Sequence, residues 1–369
     1  MKVAFLQWHD SIGGAEIMTS SLIRHLRQLE VDAGLLLVGV AGEYATSLEQ
    51  SGVPTVALGH ARGRSALTSP VSFVKAATAL GPDAVVLPDG GFLAPLLRVL
   101  GYKGKIVSIE HGSVGVQESR GIKGPLGQLE WKFSSRFLDL QIAVSRDKFE
   151  QMRVSRAAQK AFVHNGIELP EDPVRQVPEP GGEFTCATLS RVVEGKGIEV
   201  AIRAMSRLSD LPQVKLAICG DGEMRRALED LAARLGVSAR VEFVGWTTSS
   251  QAWTGASVGL SLSDTLIEGF GMSAMEAMSF GLPVIATRNG ALPEFVRSGE
   301  NGFLVEPRDD VAVASAIRRY ATDLDLWTRH SDCATSTSHE FDIRKVAAKY
   351  RELLVSVCAT GSTHETHGG

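Results

Sequence analysis

The sequence predicts an α/β protein built from two doubly wound domains, and three observations carry that reading. Its 369 residues exceed the roughly 250–300 at which a single core stops growing. In each half, short and almost wholly apolar runs alternate with longer amphipathic ones. That is the pattern of parallel strands covered on both faces by helices. Between the halves the alternation fails in Leu169-Pro170-Glu171-Asp172-Pro173 and Val177-Pro178-Glu179-Pro180-Gly181-Gly182, a stretch of Pro, Gly and acid that reads as a linker.

Taken in order, the expected strands of the first half are Val3–Trp8, Leu35–Val40, Thr55–Leu58, Ala84–Leu87, Lys105–Ile109 and Gln141–Val144. Helices are expected at Glu16–Leu29, Thr68–Leu80, Leu93–Leu100, Leu126–Leu138 and Ser145–Val154, where apolar residues recur at near-helical spacing. Beyond the linker, strands are expected at Phe184–Leu189, Lys215–Cys219, Val241–Val244, Val258–Leu262, Val284–Ala286 and Phe303–Val305. Helices fit Gly197–Leu208, Met224–Leu235, Ser273–Phe280 and Val311–Tyr320, and the last amphipathic run is Ile343–Val357. The expected domains are 1–167 and 184–340, joined by a linker at 168–183. A closing helix is expected at 341–358, and 359–369 is a frayed tail. Two such domains place a ligand at the carboxyl ends of their strands, in a cleft that both face.

Composition narrows the function. Thirty-eight basic against 42 acidic residues give a net charge of −4, whereas a bulk nucleic-acid binder carries a basic excess. Cys186, Cys219, Cys333 and Cys358 lie far apart and form no CxxC pair, which suits reduced thiols in the cytoplasm. The apolar start Val3-Ala4-Phe5-Leu6 stops at Gln7, too soon for a signal peptide, and no run reaches the ~18 apolar residues that span a bilayer. A soluble, cytoplasmic protein is expected, at most peripheral at a membrane. Arg24, His25 and Arg27, with Arg62 and Arg64 beyond, could face anionic lipid; a solvated helix face is the competing account and the favoured one.

The sharpest motif is Glu268-Gly269-Phe270-Gly271-Met272-Ser273-Ala274-Met275-Glu276. A strand ends, glycines break the chain, and a helix opens near Ser273. Glycines let backbone approach a ligand, and the free N–H groups of a helix start attract anions. Two carboxylates would repel a phosphate, so Glu268 and Glu276 suit sugar hydroxyls elsewhere on the same ligand. A dipole-complementing acid plus one solvated acid explains the pair alone equally well. Arg191 and Lys196 follow the strand Phe184–Leu189 and precede a helix. A guanidinium fork and a point charge there can hold a diphosphate, or merely pair with Glu194 and Glu199. Gly13-Gly14 before Glu16 joins the first strand to the first helix, where bare backbone suits phosphate or sugar, although a tight turn is commoner. It does not complete G-x-G-x-x-G, and no GxxxxGK[ST] occurs, which disfavours dinucleotide and Walker-type sites. His111 ends the strand Lys105–Ile109, where a polar side chain can act on substrate, although a lone histidine is more often structural. His164 fits turn chemistry.

Together, Gly13-Gly14-Ala15-Glu16, Ser190-Arg191, Glu194-Gly195-Lys196-Gly197, Gly220-Asp221-Gly222 and Glu268…Glu276 resemble the retaining glycosyltransferases of family 4, glycosyl transferases group 1, which have the GT-B fold of two Rossmann-like domains. Gly281-Leu282-Pro283-Val284-Ile285-Ala286 and Gly299-Glu300-Asn301-Gly302-Phe303-Leu304-Val305 add to the match, which is dense from Phe184 to Pro307 and thinner from Lys2 to Gly166. The resemblance implies a UDP- or GDP-sugar donor held mainly by the second domain and an acceptor held mainly by the first. Arg191 and Lys196 would hold the diphosphate, Glu276 the ribose and Glu268 a hydroxyl of the transferred sugar. Gly271, Met272 and Ser273 would offer amides, Gly14 would close over the phosphates, and the base would sit by Gly245, Trp246 and Thr247. His111 would lie beside the reacting carbon. The resemblance also implies retention of configuration, with no metal and no cofactor. The one Asp-x-Asp, Asp323-Leu324-Asp325, falls in a helical region away from these motifs. The glycine-rich stretch Gly115–Gly127, with Arg120 and Lys123, departs from the family and reads as an acceptor loop.

The expected function is therefore transfer of a sugar from a nucleotide diphosphate to a hydroxylated acceptor (saccharide, lipid or small metabolite). The alternatives are a GT-B-type epimerase or hydrolase of nucleotide sugars, and a nucleotide-sugar-binding protein whose chemistry is lost.

Overall fold

The computed structural model describes residues 1–8, 13–59, 69–89, 93–111, 123–152, 155–171, 175–264 and 270–359. The chain divides into two compact units, one of residues 1–168 with 343–369 and one of residues 169–342.

The first unit runs β1 (Lys2–Gln7), α1 (Gly14–Gln28), β2 (Asp32–Leu37), α2 (Glu43–Gln50), β3 (Thr55–Ala57), α3 (Ser69–Leu80) and β4 (Ala84–Pro88). It continues with α4 (Ala94–Val99), β5 (Lys105–Glu110), α5 (Lys123–Ser134), β6 (Leu140–Ala143), α6 (Arg146–Gln151) and β7 (Gln159–Phe162). All seven strands pair in parallel in the order β3-β2-β1-β4-β5-β6-β7. The order reverses between β1 and β4, so the loops after these strands diverge and leave room for a ligand. Central strands such as β4 and β6 are buried almost throughout, which is why they read as continuous apolar runs.

The second unit holds β8 (Phe184–Leu189), α7 (Ile198–Ser206), β9 (Val214–Cys219), α8 (Arg225–Arg234), β10 (Val241–Gly245), α9 (Ser249–Trp253) and β11 (Val258–Ser261). It ends with α10 (Met272–Ser279), β12 (Val284–Thr287), α11 (Leu292–Phe295), β13 (Gly302–Val305), α12 (Asp310–Thr322) and α13 (Leu324–Ser338). Its six parallel strands lie in the order β10-β9-β8-β11-β12-β13. Here the reversal falls between β8 and β11. Helix α7 buries Ile198, Ala201, Ile202 and Met205 against this sheet.

Helix α14 (Ile343–Ala359) belongs to the first unit. The Ile343 N–H donates to Ile167 O at 2.9 Å, and a Cβ on Gly166 would sit 2.8 Å from Ile343 Cα. The chain thus returns through a contact only glycine permits. The helix packs on α1, and Arg351 Nε donates to Leu29 O at 3.1 Å.

Helices α2, α9 and α11 were absent from the expected set, and four further details differ from the sequence reading. Strand β2 starts at Asp32 instead of Leu35, because Asp32-Ala33-Gly34 lie in register with Lys2-Val3-Ala4 of β1; pairing overrides the poor strand propensity of Asp and Gly. Strand β7 was absent from the expected set: Gln159 and Lys160 are exposed, as an edge strand allows. Helix α13, rich in Ser and Thr, is held by tertiary packing. Trp327 is fully buried there, and its Nε1 donates to Ser257 O at 2.6 Å. Part of the supposed linker is docked: Arg175 bonds Asp332 of α13 and lies 5.1 Å over the Trp327 ring.

Candidate functional site

The second unit gathers three loops at the carboxyl ends of β8, β9 and β11, beside its strand-order reversal. Gly220, Gly222 and Gly197 make this possible. A Cβ on Gly220 would strike the Ser190 carbonyl, and one on Gly222 would lie 2.8 Å from the Val192 carbonyl carbon. Gly197, at φ +69°, would bring its Cβ within 2.7 Å of the Leu262 carbonyl carbon. The loop Ser190–Gly197 is therefore clamped between the turn after β9 and the end of β11. Backbone bonds close the clamp: Val192 N–H donates to Asp221 O at 2.9 Å, and Asp264 N–H to Gly195 O at 3.0 Å. Thr287 Oγ1 donates to Ser263 O at 2.6 Å and steadies the same edge from β12.

On this frame Arg191 is exposed and, among the described residues, its side chain makes no ion pair or hydrogen bond, while Lys196 is half-buried. Glu194 and Glu199 act electrostatically on Arg308. Arg308, at φ +68°, donates from Nε to Asp264 at 2.5 Å, covering a carboxylate whose side chain is 5% exposed. Helix α10 opens at Gly271, which adopts φ +84° and would place a Cβ 2.6 Å from Leu292 Cδ2. No side chain caps this helix, so the amides of Met272 and Ser273 are available to an anion. Glu268 and Gly269 lie outside the described residues.

Glu276, on the second turn of α10, has its carboxylate in a pocket edge made by α9. Burial pushes its pKa up. The Ser249 hydroxyl, donating to Oε2 at 2.5 Å, offsets part of the shift, as does the nearby buried indole N–H of Trp253, which stays outside hydrogen-bonding geometry. Sequence reasoning missed Ser249; the capping box of Thr248 with Gln251, which sets the start of α9, was the available signal. Gly245, at φ +83°, ends β10 and accepts the Gly220 N–H at 2.7 Å, tying the expected base site to the cation loop. Trp246 beside it is 72% exposed.

In the first unit Gly13 is the extended N-cap of α1 and Gly14 its first, exposed residue, again without a side-chain cap. Glu16 folds back, its Oε2 2.6 Å from where a Gly13 Cβ would be. His111, half-buried just past β5, donates its N–H to Asp89 Oδ1 at 2.8 Å. Its Nδ1 is buried and makes no hydrogen bond among the described residues. Burial lowers the imidazole pKa, against the opposing pull of the Asp89 and Glu16 carboxylates.

Two other features of the sequence reading gain partners in three dimensions. Asp323 of the Asp-x-Asp is the N-cap of α13, accepting the Leu326 N–H at 2.9 Å. Of the basic residues considered for lipid, Arg24 donates to Glu168 at 2.9 Å, His25 Nδ1 to Ser21 O at 2.9 Å and Arg27 to Ala33 O at 3.1 Å, so they are engaged within the unit. Arg62 and Arg64, like Gly115–Arg120, lie outside the described residues. Among the described residues no cluster of three His, Cys, Asp or Glu could hold a metal, and no helix is long and apolar enough to cross a membrane.

Known proteins resemble this chain in sequence and fold. Residues 171–333 match the family model of glycosyl transferases group 1. The lipopolysaccharide core biosynthesis glycosyltransferase LpsE of Rhizobium meliloti is 35% identical over 170 residues, 46% of this chain and 49% of that protein. The D-inositol 3-phosphate glycosyltransferase of Streptomyces coelicolor is 29% identical over 229 residues, 53% of this chain and 50% of that protein. The chain spans about half the length of these curated relatives. Among solved structures, Anabaena HepE in complex with UDP and glucose superposes with a TM-score of 0.82 at 23% identity, covering 96% of this chain and 100% of that one. Sucrose-phosphate synthase from Thermosynechococcus elongatus gives 0.81 at 22%, covering 97% and 99%. The two parallel sheets are those of the GT-B fold.

Proposed function

We propose that the protein is a glycosyltransferase that moves a sugar from a nucleotide diphosphate to a hydroxylated acceptor. The observation that carries this is that β8 and β11, the two strands at the order reversal of the second unit, lead into two cations, an uncapped helix start and a half-buried carboxylate. Arg191, Lys196 and the α10 amides form a positive field suited to a diphosphate, while Glu276 suits ribose hydroxyls. UDP in the related fold of HepE and the family match over residues 171–333 support the same reading, with UDP- and GDP-sugars as the donors to try.

In the proposed reaction the bond from the anomeric carbon to the β-phosphate oxygen breaks as the acceptor oxygen bonds to that carbon. The acceptor's proton passes to the departing phosphate, and attack from that same face retains configuration. Arg191 and Lys196 stabilise the charge that grows on the leaving group and do so without a metal. Glu268 binds a hydroxyl of the transferred sugar, Gly14 the phosphates, and Gly245 and Trp246 flank the base. His111 hydrogen-bonds the transferred sugar. The four unpaired cysteines fit a reducing cytoplasm.

The test incubates the protein with UDP- and GDP-sugars, with and without a mixed saccharide and lipid acceptor set and with EDTA, and follows nucleotide release. Acceptor-dependent release that EDTA does not abolish and Arg191→Ala suppresses is the expected result. Release at full rate with donor alone would replace transferase by hydrolase, and no binding of any nucleotide would remove the reading.

A further inference from the structure

We propose that Asp89 is the residue that positions His111, linking the end of β4 to the end of β5 beside the first unit's strand-order reversal. The inference rests on the proposed role of His111 in glycosyl transfer and extends it to a residue with no part in the motifs.

Three observations carry it. Asp89 Oδ1 accepts the backbone N–H of His111 at 2.8 Å across 22 residues of sequence, fixing the strand end that carries the imidazole. Asp89 itself sits at φ +40°, a left-handed conformation that disfavours residues with a Cβ. Glycine would relieve that strain at once, and Gly90 and Gly91 follow directly, so the carboxylate is kept where the backbone argues against it. The ring carried on that strand end is not satisfied by the fold: Nδ1 is buried and without a hydrogen bond among the described residues, as a group held ready for a ligand would be.

The surrounding charges fit that role. Asp89 from β4 and Glu16 from α1 both face the His111 ring and favour its protonated form against burial. Behind them Lys148 of α6 is 1% exposed, 3.9 Å from Asp147, and faces both Asp89 and Glu110. Glu110 is in turn fixed by Ser108 Oγ and Gln141 Nε2, each at 2.7 Å. Asp89 therefore interacts electrostatically with both a buried cation and the imidazole, so its charge as well as its oxygen matters.

The experiment compares Asp89→Gly and Asp89→Asn with the unaltered protein. Glycine loses the acceptor but suits the backbone, so thermal stability should not fall. Turnover should drop on the order of a hundredfold, the usual effect of a misplaced reacting group, while UDP affinity, a property of the second unit, stays within about twofold. Asparagine keeps an acceptor oxygen and should restore much of kcat. It loses the charge, so the His111 imidazole, identified in proton NMR by its absence in His111→Gln, should titrate at lower pH, and the rate profile should shift with it. Wild-type kcat in both variants with an unmoved titration would overturn the proposal. The NMR arm needs no turnover: if no nucleotide sugar reacts, it is the proposed function that falls, and the titration alone upholds or overturns the Asp89 link.

Discussion

Replacing Gly197 by alanine tests the clamp that shapes the cation loop. The residue caps α7 at φ +69°, and the added Cβ would lie 2.7 Å from the Leu262 carbonyl carbon, against an ordinary contact of 3.4 Å or more. The carbonyl oxygen lies nearer still, so the loop must retreat by more than about 0.7 Å (3.4 minus 2.7) from the end of β11. A left-handed alanine costs about 1–2 kcal/mol and forcing two backbones apart about 1–3, together about 2–5 kcal/mol. For a unit of 174 residues (169 to 342) this lowers the melting temperature by roughly 5–15 °C. Because Lys196 is the adjacent residue, displacement of the loop should also weaken UDP binding, by on the order of tenfold or more. Thermal unfolding followed by circular dichroism and titration calorimetry with UDP read the two effects. A melting temperature within 2 °C of wild type together with unchanged affinity would refute the idea that the β8–α7 loop is held by close backbone approach.

Three further outcomes are expected. Arg191→Ala and Lys196→Ala should each weaken UDP by roughly 10–100-fold, the worth of a charge-assisted bond, and flatten the salt dependence of affinity in calorimetry. Glu276, whose pKa is raised by burial, contributes stability that is full below the ordinary carboxylate range and is lost as pH rises through the raised value. Ribose binding runs the opposite way, weakening as the carboxyl gains its proton, so UDP affinity should fall from pH 8 toward pH 5 in the wild type but stay level in Glu276→Gln. Asn301, fully buried, accepts Arg297 N–H at 2.7 Å and donates to Phe295 O at 2.9 Å and Thr337 Oγ1 at 3.0 Å. Asn301→Ala should cost about 2–4 kcal/mol by chemical denaturation while leaving the activity per folded molecule unchanged.

Much of this molecule was legible in one dimension because its strands are buried on both faces. Runs such as Val85-Val86-Leu87 or Val284-Ile285-Ala286 can be little else in an α/β chain, and Phe184–Leu189 has the observed limits. Glycines before charged residues likewise marked turns that follow strands. What local pattern could not supply was anything decided by partners far along the chain. The start of β2 depends on β1, and the helicity of the Ser- and Thr-rich α13 depends on burying Trp327 under the carbonyl of Ser257.

The candidate site divides in the same way. Residue types and order along the chain determined that cations, carboxylates and bare backbone would follow strand ends, since that depends only on local chemistry and strand–helix alternation. Tertiary structure decided which of them meet. Ser249 reaches Glu276 across 27 residues and Asp89 reaches His111 across 22, distances over which composition and periodicity hold no information, because a hydrogen bond is fixed by the path the whole chain takes.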